Sequence, residues 1–219
     1  MGEEVAIGPE GRAAWVVPKD DPSEQTQIRI GSLDGSGEDF FVANPQFQPL
    51  EVRNLEWDPS GSKLYYEAGR DTVSLYEVDV EDLQPRAIDP PEGSATYIGP
   101  AASQSDEVVV LKVCCGGPSG QQSIELGRLE LGNGAPEYSK IAGLDEAGFN
   151  SNSPNLTVEP AGTLDVEATA GERVWTVTSV RAWILSDGTT AWLVDEEGEI
   201  DLLRPTKVTG ATVNPSFLD

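Results

Sequence analysis

The sequence predicts an all-β fold, and three observations carry the prediction. No window of a dozen residues free of Gly and Pro holds apolar residues at the i, i+3, i+4, i+7 spacing of an amphipathic helix. Short runs rich in β-branched and aromatic residues take its place, separated by turn residues. A unit made of a Pro-containing turn, a Gly and an apolar strand recurs along the chain of 219 residues. With 23 Gly and 16 Pro the chain is rich in turns. A chain this long buries roughly 70% of its unfolded surface, so a core forms without staples.

In chain order, strands are predicted over 13–17, 27–32, 40–43, 63–67, 73–78, 107–113 and 123–131. In the last third they continue at 174–179, 181–185, 190–194 and 200–203. The stretch 124–131 alternates apolar and polar residues, as a half-buried strand does. Asn133-Gly134 and Asp187-Gly188 each come after a predicted strand, and both dipeptides accept the positive φ of a tight hairpin. Gly198, after Glu196-Glu197, marks a third turn. Antiparallel neighbours are the expected result.

The repeat sharpens this to an architecture. Pro9-Glu10-Gly11 precedes Ala13-Ala14-Trp15, Pro59-Ser60-Gly61 precedes Leu64-Tyr65-Tyr66, and Pro160-Ala161-Gly162 precedes Leu164. Weaker echoes stand at Gly99-Pro100 and Asn214-Pro215. The marker prolines are 50, 41, 60 and 55 residues apart, the period of four-stranded propeller blades. Pro sets φ at the first turn position and Gly accepts a positive φ after it, so each marker reads as a turn joining inner strands of one blade. The expectation is a single domain over 1–219, an antiparallel β-propeller-like fold of about four to five blades, whether small, open or part of a larger propeller.

Trp57-Asp58-Pro59-Ser60-Gly61, with Leu64-Tyr65-Tyr66 after it, resembles the start of a TolB-like, or WD40-like PD40, propeller repeat. The stretch 28–35, with Phe40-Phe41-Val42 after it, resembles the rest of such a blade. Glu10, Ser60 and Ala161 stand where that family usually has Asp. The resemblance implies a binding platform more than a chemistry.

Charge removes several functions. The chain has 38 acidic and 14 basic residues, a net charge of −24, spread evenly so that each third carries between −7 and −9. Such a surface repels nucleic acid, whose binding requires Lys and Arg on phosphates. A cationic partner or Ca²⁺ suits it, as does plain solubility. No histidine occurs, which excludes Ser-His-Asp and Cys-His nucleophile systems, His-ligated zinc and imidazole acid–base catalysis. No apolar run reaches the 18–20 residues of a spanning helix, and the first residues show no signal-peptide pattern. Membrane insertion by this chain is not expected.

Few residues stand out as candidates. Cys114 and Cys115 are the two cysteines, side by side before Gly116 and Gly117. Paired, they form a vicinal disulfide, and the glycines let a ligand approach; reduced, they are a soft-metal chelate or two ordinary thiols. A disulfide predicts an extracytoplasmic compartment. Trp175 and Trp192 are candidates for stacking on a ligand, whereas Trp57 and Trp183 read as core. Asp34, Glu38 and Asp39 sit among glycines as candidate Ca²⁺ ligands, with a solvated hairpin as the alternative; no other cofactor is expected. The reading is a non-enzymatic, monomeric binding or sensor module for a peptide, protein or other surface ligand. Its alternatives are a structural surface protein stabilised by salt or Ca²⁺, and a carbohydrate-active enzyme with paired carboxylates.

Overall fold

The computed structural model describes residues 5–18, 24–32, 36–41, 50–69, 73–90, 96–104, 106–114, 123–132, 134–144, 157–160, 167–170, 173–176, 182–186, 191–195, 198 and 200–202. These form four antiparallel four-stranded sheets and one two-stranded ribbon. Blade 1 holds β1 (Val5–Ile7), β2 (Arg12–Val16), β3 (Gln27–Ser32) and β4 (Gly37–Phe41). Blade 2 holds β5 (Glu51–Trp57), β6 (Lys63–Gly69), β7 (Val73–Asp79) and β8 (Pro85–Ala87). Blade 3 holds β9 (Thr96–Gln104), β10 (Glu107–Cys114), β11 (Ser123–Glu130) and β12 (Glu137–Gly143). Each is a meander in which sequence neighbours pair.

Blade 4 departs from that plan. Between β13 (Thr157–Pro160) and its partner β16 (Ala182–Ser186) the chain makes a separate ribbon of β14 (Glu167–Ala170) and β15 (Arg173–Thr176). The sheet then continues with β17 (Ala191–Asp195) and β18 (Ile200–Leu202). The first strands touch in succession, β1 on β5, β5 on β9 and β9 on β13, so the blades succeed one another around a shared inner side. That is the propeller arrangement the repeat predicts, with four blades among the described residues.

The packing explains why the inner strands are so apolar. Successive side chains along a strand point to opposite faces, and blades 2 and 3 have a neighbour on both. In β6, Leu64, Tyr66 and Ala68 face blade 1, where they meet Ala14, Ile28 and Phe40. Tyr65, one residue out of phase, joins Leu75 and Ile88 against Tyr97, Val108 and Val110 of blade 3. The same β10 sends Val109 and Leu111 the other way, onto Val158, Trp183 and Leu185 of blade 4. Three hydrophobic layers therefore hold four blades, and a single strand serves two of them.

Two of the marker turns form as expected. Gly61 has φ +72° and Gly11 φ +76°, and each turn joins the first two strands of a blade. Asp58, fully buried, organises the second: it accepts hydrogen bonds from the Lys63 amide at 2.7 Å and from the amide and hydroxyl of Ser60. Burial pushes its carboxyl up, but these bonds and one from Ser62 outweigh that and hold it below the ordinary range.

Gly99-Pro100 corrects the sequence reading. The pair lies inside β9 at a register irregularity, where Gly99 has φ +66° and its amide donates to the buried Glu67 carboxylate. Asn54 plays the matching part in β5, with φ +51° beside a register shift and a 2.9 Å bond to the same Glu67 oxygen. One buried carboxylate thus ties bulges in two neighbouring inner strands. The strands over 51–57, 85–87, 96–104, 137–143, 157–160 and 167–170 were not among those predicted. Ala161-Gly162, after Pro160 at the end of β13, and Asn214-Pro215 lie outside the described residues.

Among the described residues no helix is long and apolar enough to cross a membrane.

Candidate functional site

Blades 2 and 3 diverge at the end that carries the β5–β6, β7–β8, β9–β10 and β11–β12 turns, leaving a cleft of about 460 Å³. Its chemistry is almost wholly ionic. Glu77, Asp79, Asp82 and Asp106 supply four carboxylates, and Lys63 and Arg86 two cations. Local structure sets each position. Lys63 opens β6 and Asp79 closes β7, and the two are direct cross-strand partners. Glu77 and Arg86 are cross-strand partners on β7 and β8. Asp106 comes from the turn of blade 3, whose carbonyl accepts the Leu131 amide at 2.8 Å.

The cations are already committed within the cleft. Glu77, with a side chain 9% exposed, holds both: Lys63 Nζ at 3.2 Å from one oxygen and Arg86 Nη2 at 2.9 Å from the other. Each cation then crosses to blade 3. Lys63 reaches Asp106 at 3.5 Å, and Arg86 Nη1 donates to the Gly132 carbonyl at 3.1 Å. These are two inter-blade ties converging on one carboxylate.

Four carboxylates against two cations leave the cleft net negative. Asp79 Oδ1 accepts the Glu81 amide and Asp82 Oδ1 the Gln84 amide, both at 2.8 Å, which fixes the carboxylates at the turn. Asp106 is 80% exposed. The buried Tyr65 hydroxyl reports the resulting field: burial raises its pKa, and Glu77, Asp58 and Asp106 raise it further against the opposing Arg86. The arrangement is suited to recognising positive charge.

Of the residues singled out from sequence, none of those whose side chains are described lines this cleft. Cys114 is the last residue of β10, opposite Ser123, at the far end of blade 3 from Asp106. Eight strand residues put the two ends roughly 25 Å apart. Cys115, Gly116 and Gly117 lie outside the described residues. Trp192 is half-buried and packs against the layer between blades 3 and 4. Trp175 pairs with Ala168 in the β14–β15 ribbon. Trp57 and Trp183 are core, 6% and 1% exposed.

Two of the three candidate Ca²⁺ ligands, Glu38 and Asp39, are described, and they are neighbours on β4. Asp34 lies outside the described residues, and Asp39 is taken by Arg29 in two hydrogen bonds. Glu38 precedes Asp39 on β4 and so points to the opposite face. Among the described residues no cluster of three or more metal-ligating side chains occurs. The cleft itself escaped sequence reading because acids are spread evenly, and 79–82 looked like any other acidic turn.

No family model and no curated protein sequence matches the chain. Among solved structures, a prolyl endopeptidase superposes on 92% of this chain with a TM-score of 0.50 and 12% identity. An oligogalacturonate lyase solved with manganese overlaps 88% of the chain and 61% of its own length, with a TM-score of 0.46 and 12% identity. An isopeptidase overlaps 90% of the chain and 36% of its own, with a TM-score of 0.47 and 13% identity. The likeness to the endopeptidase is one of fold, and the chain spans about a quarter of that protein's length (26%).

Proposed function

We propose that this chain is a binding module that works without chemical turnover and takes a cationic group of a peptide or protein partner into the cleft between blades 2 and 3. One observation carries the reading: four carboxylates line the cleft against two cations, both of them already tied to Glu77, so the cleft keeps an excess of negative charge. The net charge of −24 supports it by drawing cations in before contact. The missing histidine and the TolB-like turn around Trp57-Asp58-Pro59 favour a platform over an enzyme.

The test compares an Arg-rich with a Glu-rich peptide by fluorescence anisotropy, in about 0.05–0.5 M salt. The Arg-rich peptide is expected to bind, and Asp79→Asn, Asp82→Asn and Asp106→Asn together to weaken it about tenfold. Neutralising Glu24, Glu38 and Glu51, three exposed acids away from the cleft, removes the same charge and is expected to change binding less than threefold. Equal losses in the two triple variants would reduce the effect to net charge and overturn the reading.

An extracytoplasmic location belongs to the same proposal and rests on the adjacent cysteines. An intact mass about 2 Da below that of the reduced chain, resistant to alkylation under denaturing conditions, is the expected result. Two alkylations on the untreated protein would remove that support.

A further inference from the structure

Blades 1 to 3 each open their second strand with a charged residue: Arg12 on β2, Lys63 on β6 and Glu107 on β10. Arg12 reaches forward to blade 2 and donates to the Gly61 carbonyl at 2.8 Å. Lys63 makes the same forward reach to blade 3, but it ends on the Asp106 carboxylate at 3.5 Å. Glu107 is held instead by Arg128 of its own blade, at 3.1 Å. One forward tie thus closes on a backbone carbonyl, and the other on an acid of the cleft.

The two cations of the cleft are held unequally. Arg86 Nε and Nη2 donate to one oxygen of Glu77 at 3.2 and 2.9 Å, and Nη1 donates to the Gly132 carbonyl at 3.1 Å. A planar guanidinium thereby commits three bonds in fixed directions. The Lys63 ammonium is one rotatable group on a flexible stem, 3.2 Å from Glu77 and 3.5 Å from Asp106. Its contact with Glu77 is shielded, since that side chain is 9% exposed, whereas Asp106 is 80% exposed. A long pair with an exposed partner is weak and screened by salt. The Asp106 main chain is pinned by the Leu131 amide, so the contact is exchangeable without moving the turn.

Lys63 also shows what this point of the cleft accepts. Its ammonium is a compact positive charge set between carboxylates of two blades, Glu77 and Asp106.

We infer that Lys63 is a built-in competitor for the cleft, its ammonium holding Asp106 until the cationic group of a peptide takes its place there. The inference rests on the reading of the cleft proposed above. Glu77 keeps both of its cations in the exchange, so the network beneath the ligand stays intact. The affinity is lower than the acids alone would give, because the peptide displaces a tethered cation to reach Asp106.

Fluorescence anisotropy with the Arg-rich peptide, at about 0.15 M salt, tests this on the full chain. Lys63→Met keeps the stem and removes the charge, and is expected to bind about fivefold more tightly than the wild type. Arg53→Met removes the same charge from an exposed pair on β5 and is expected to change binding less than about twofold. A double-mutant cycle separates competition from local charge. Asp106→Asn is expected to weaken binding about twofold in the wild type and about sixfold beside Lys63→Met, where the peptide has Asp106 to itself. Lys63→Gln serves in the same cycle if the methionine variant does not fold. Wild-type binding that Lys63→Met tightens no more than Arg53→Met does, or equal Asp106→Asn losses in the two backgrounds, would overturn the inference and leave the reading of the cleft standing. Absence of binding by every one of these proteins would overturn both.

Discussion

Trp57→Ala is expected to lower the unfolding free energy by about 4 kcal/mol, the largest effect of any single truncation proposed for this chain. Trp57 closes β5 and lies in the layer between blades 1 and 2, 6% exposed. Its indole rests on Gly8, where an added Cβ would stand 2.8–2.9 Å from ring atoms. Its Nε1 donates to the Ala6 carbonyl at 3.2 Å. Truncation therefore empties a large volume between sheets joined by no paired strands, and takes from the Ala6 carbonyl of β1 the indole N–H it accepts. Trp57→Phe keeps most of the ring and loses the bond, so about 1–2 kcal/mol is expected. Urea unfolding of both variants checks the order; a cost under about 1 kcal/mol for the alanine would mean that the blades do not depend on this wedge.

Glu77→Ala should cost about 3 kcal/mol, although the side chain makes no apolar core. Removing it leaves Lys63 and Arg86, 19% and 40% exposed, without the carboxylate that holds both. The cost falls mainly on Lys63, the less exposed cation, which keeps only its 3.5 Å contact to Asp106. Glu51→Ala makes the contrast: its pair with Arg53 is 60% and 55% exposed and is worth at most about 0.5 kcal/mol. Thermal melts of the two variants side by side measure the difference. Equal shifts would mean that the cleft's ion network is as loose as a surface pair.

The sequence revealed some features and concealed others for physical reasons. Strands with β-branched and aromatic runs, such as β3, β6, β7, β10 and β11, were legible because burial demands that composition. β12 was not, since an outer strand of polar residues, Glu137-Tyr138-Ser139-Lys140, looks like a loop. β9 was misread at Gly99-Pro100 because a Pro-Gly pair marks both turns and bulges, and only the neighbouring Glu67 distinguishes them. The acidic cleft was invisible for want of contrast: one cluster among 38 acids has no local signature.

By itself the sequence determined the all-β class, the blade period, the two inner-strand turns at Gly11 and Gly61, and the exclusion of histidine chemistry. Periodicity and turn residues are local, and a single chain records them directly. The tertiary structure alone decided that Lys63 and Arg86 both close on Glu77, that β10 serves two hydrophobic layers, and that Glu67 of β6 ties the bulges of β5 and β9. Those facts depend on which blade lies beside which, and charge pairing and burial across blades are set by neighbours far apart in the chain.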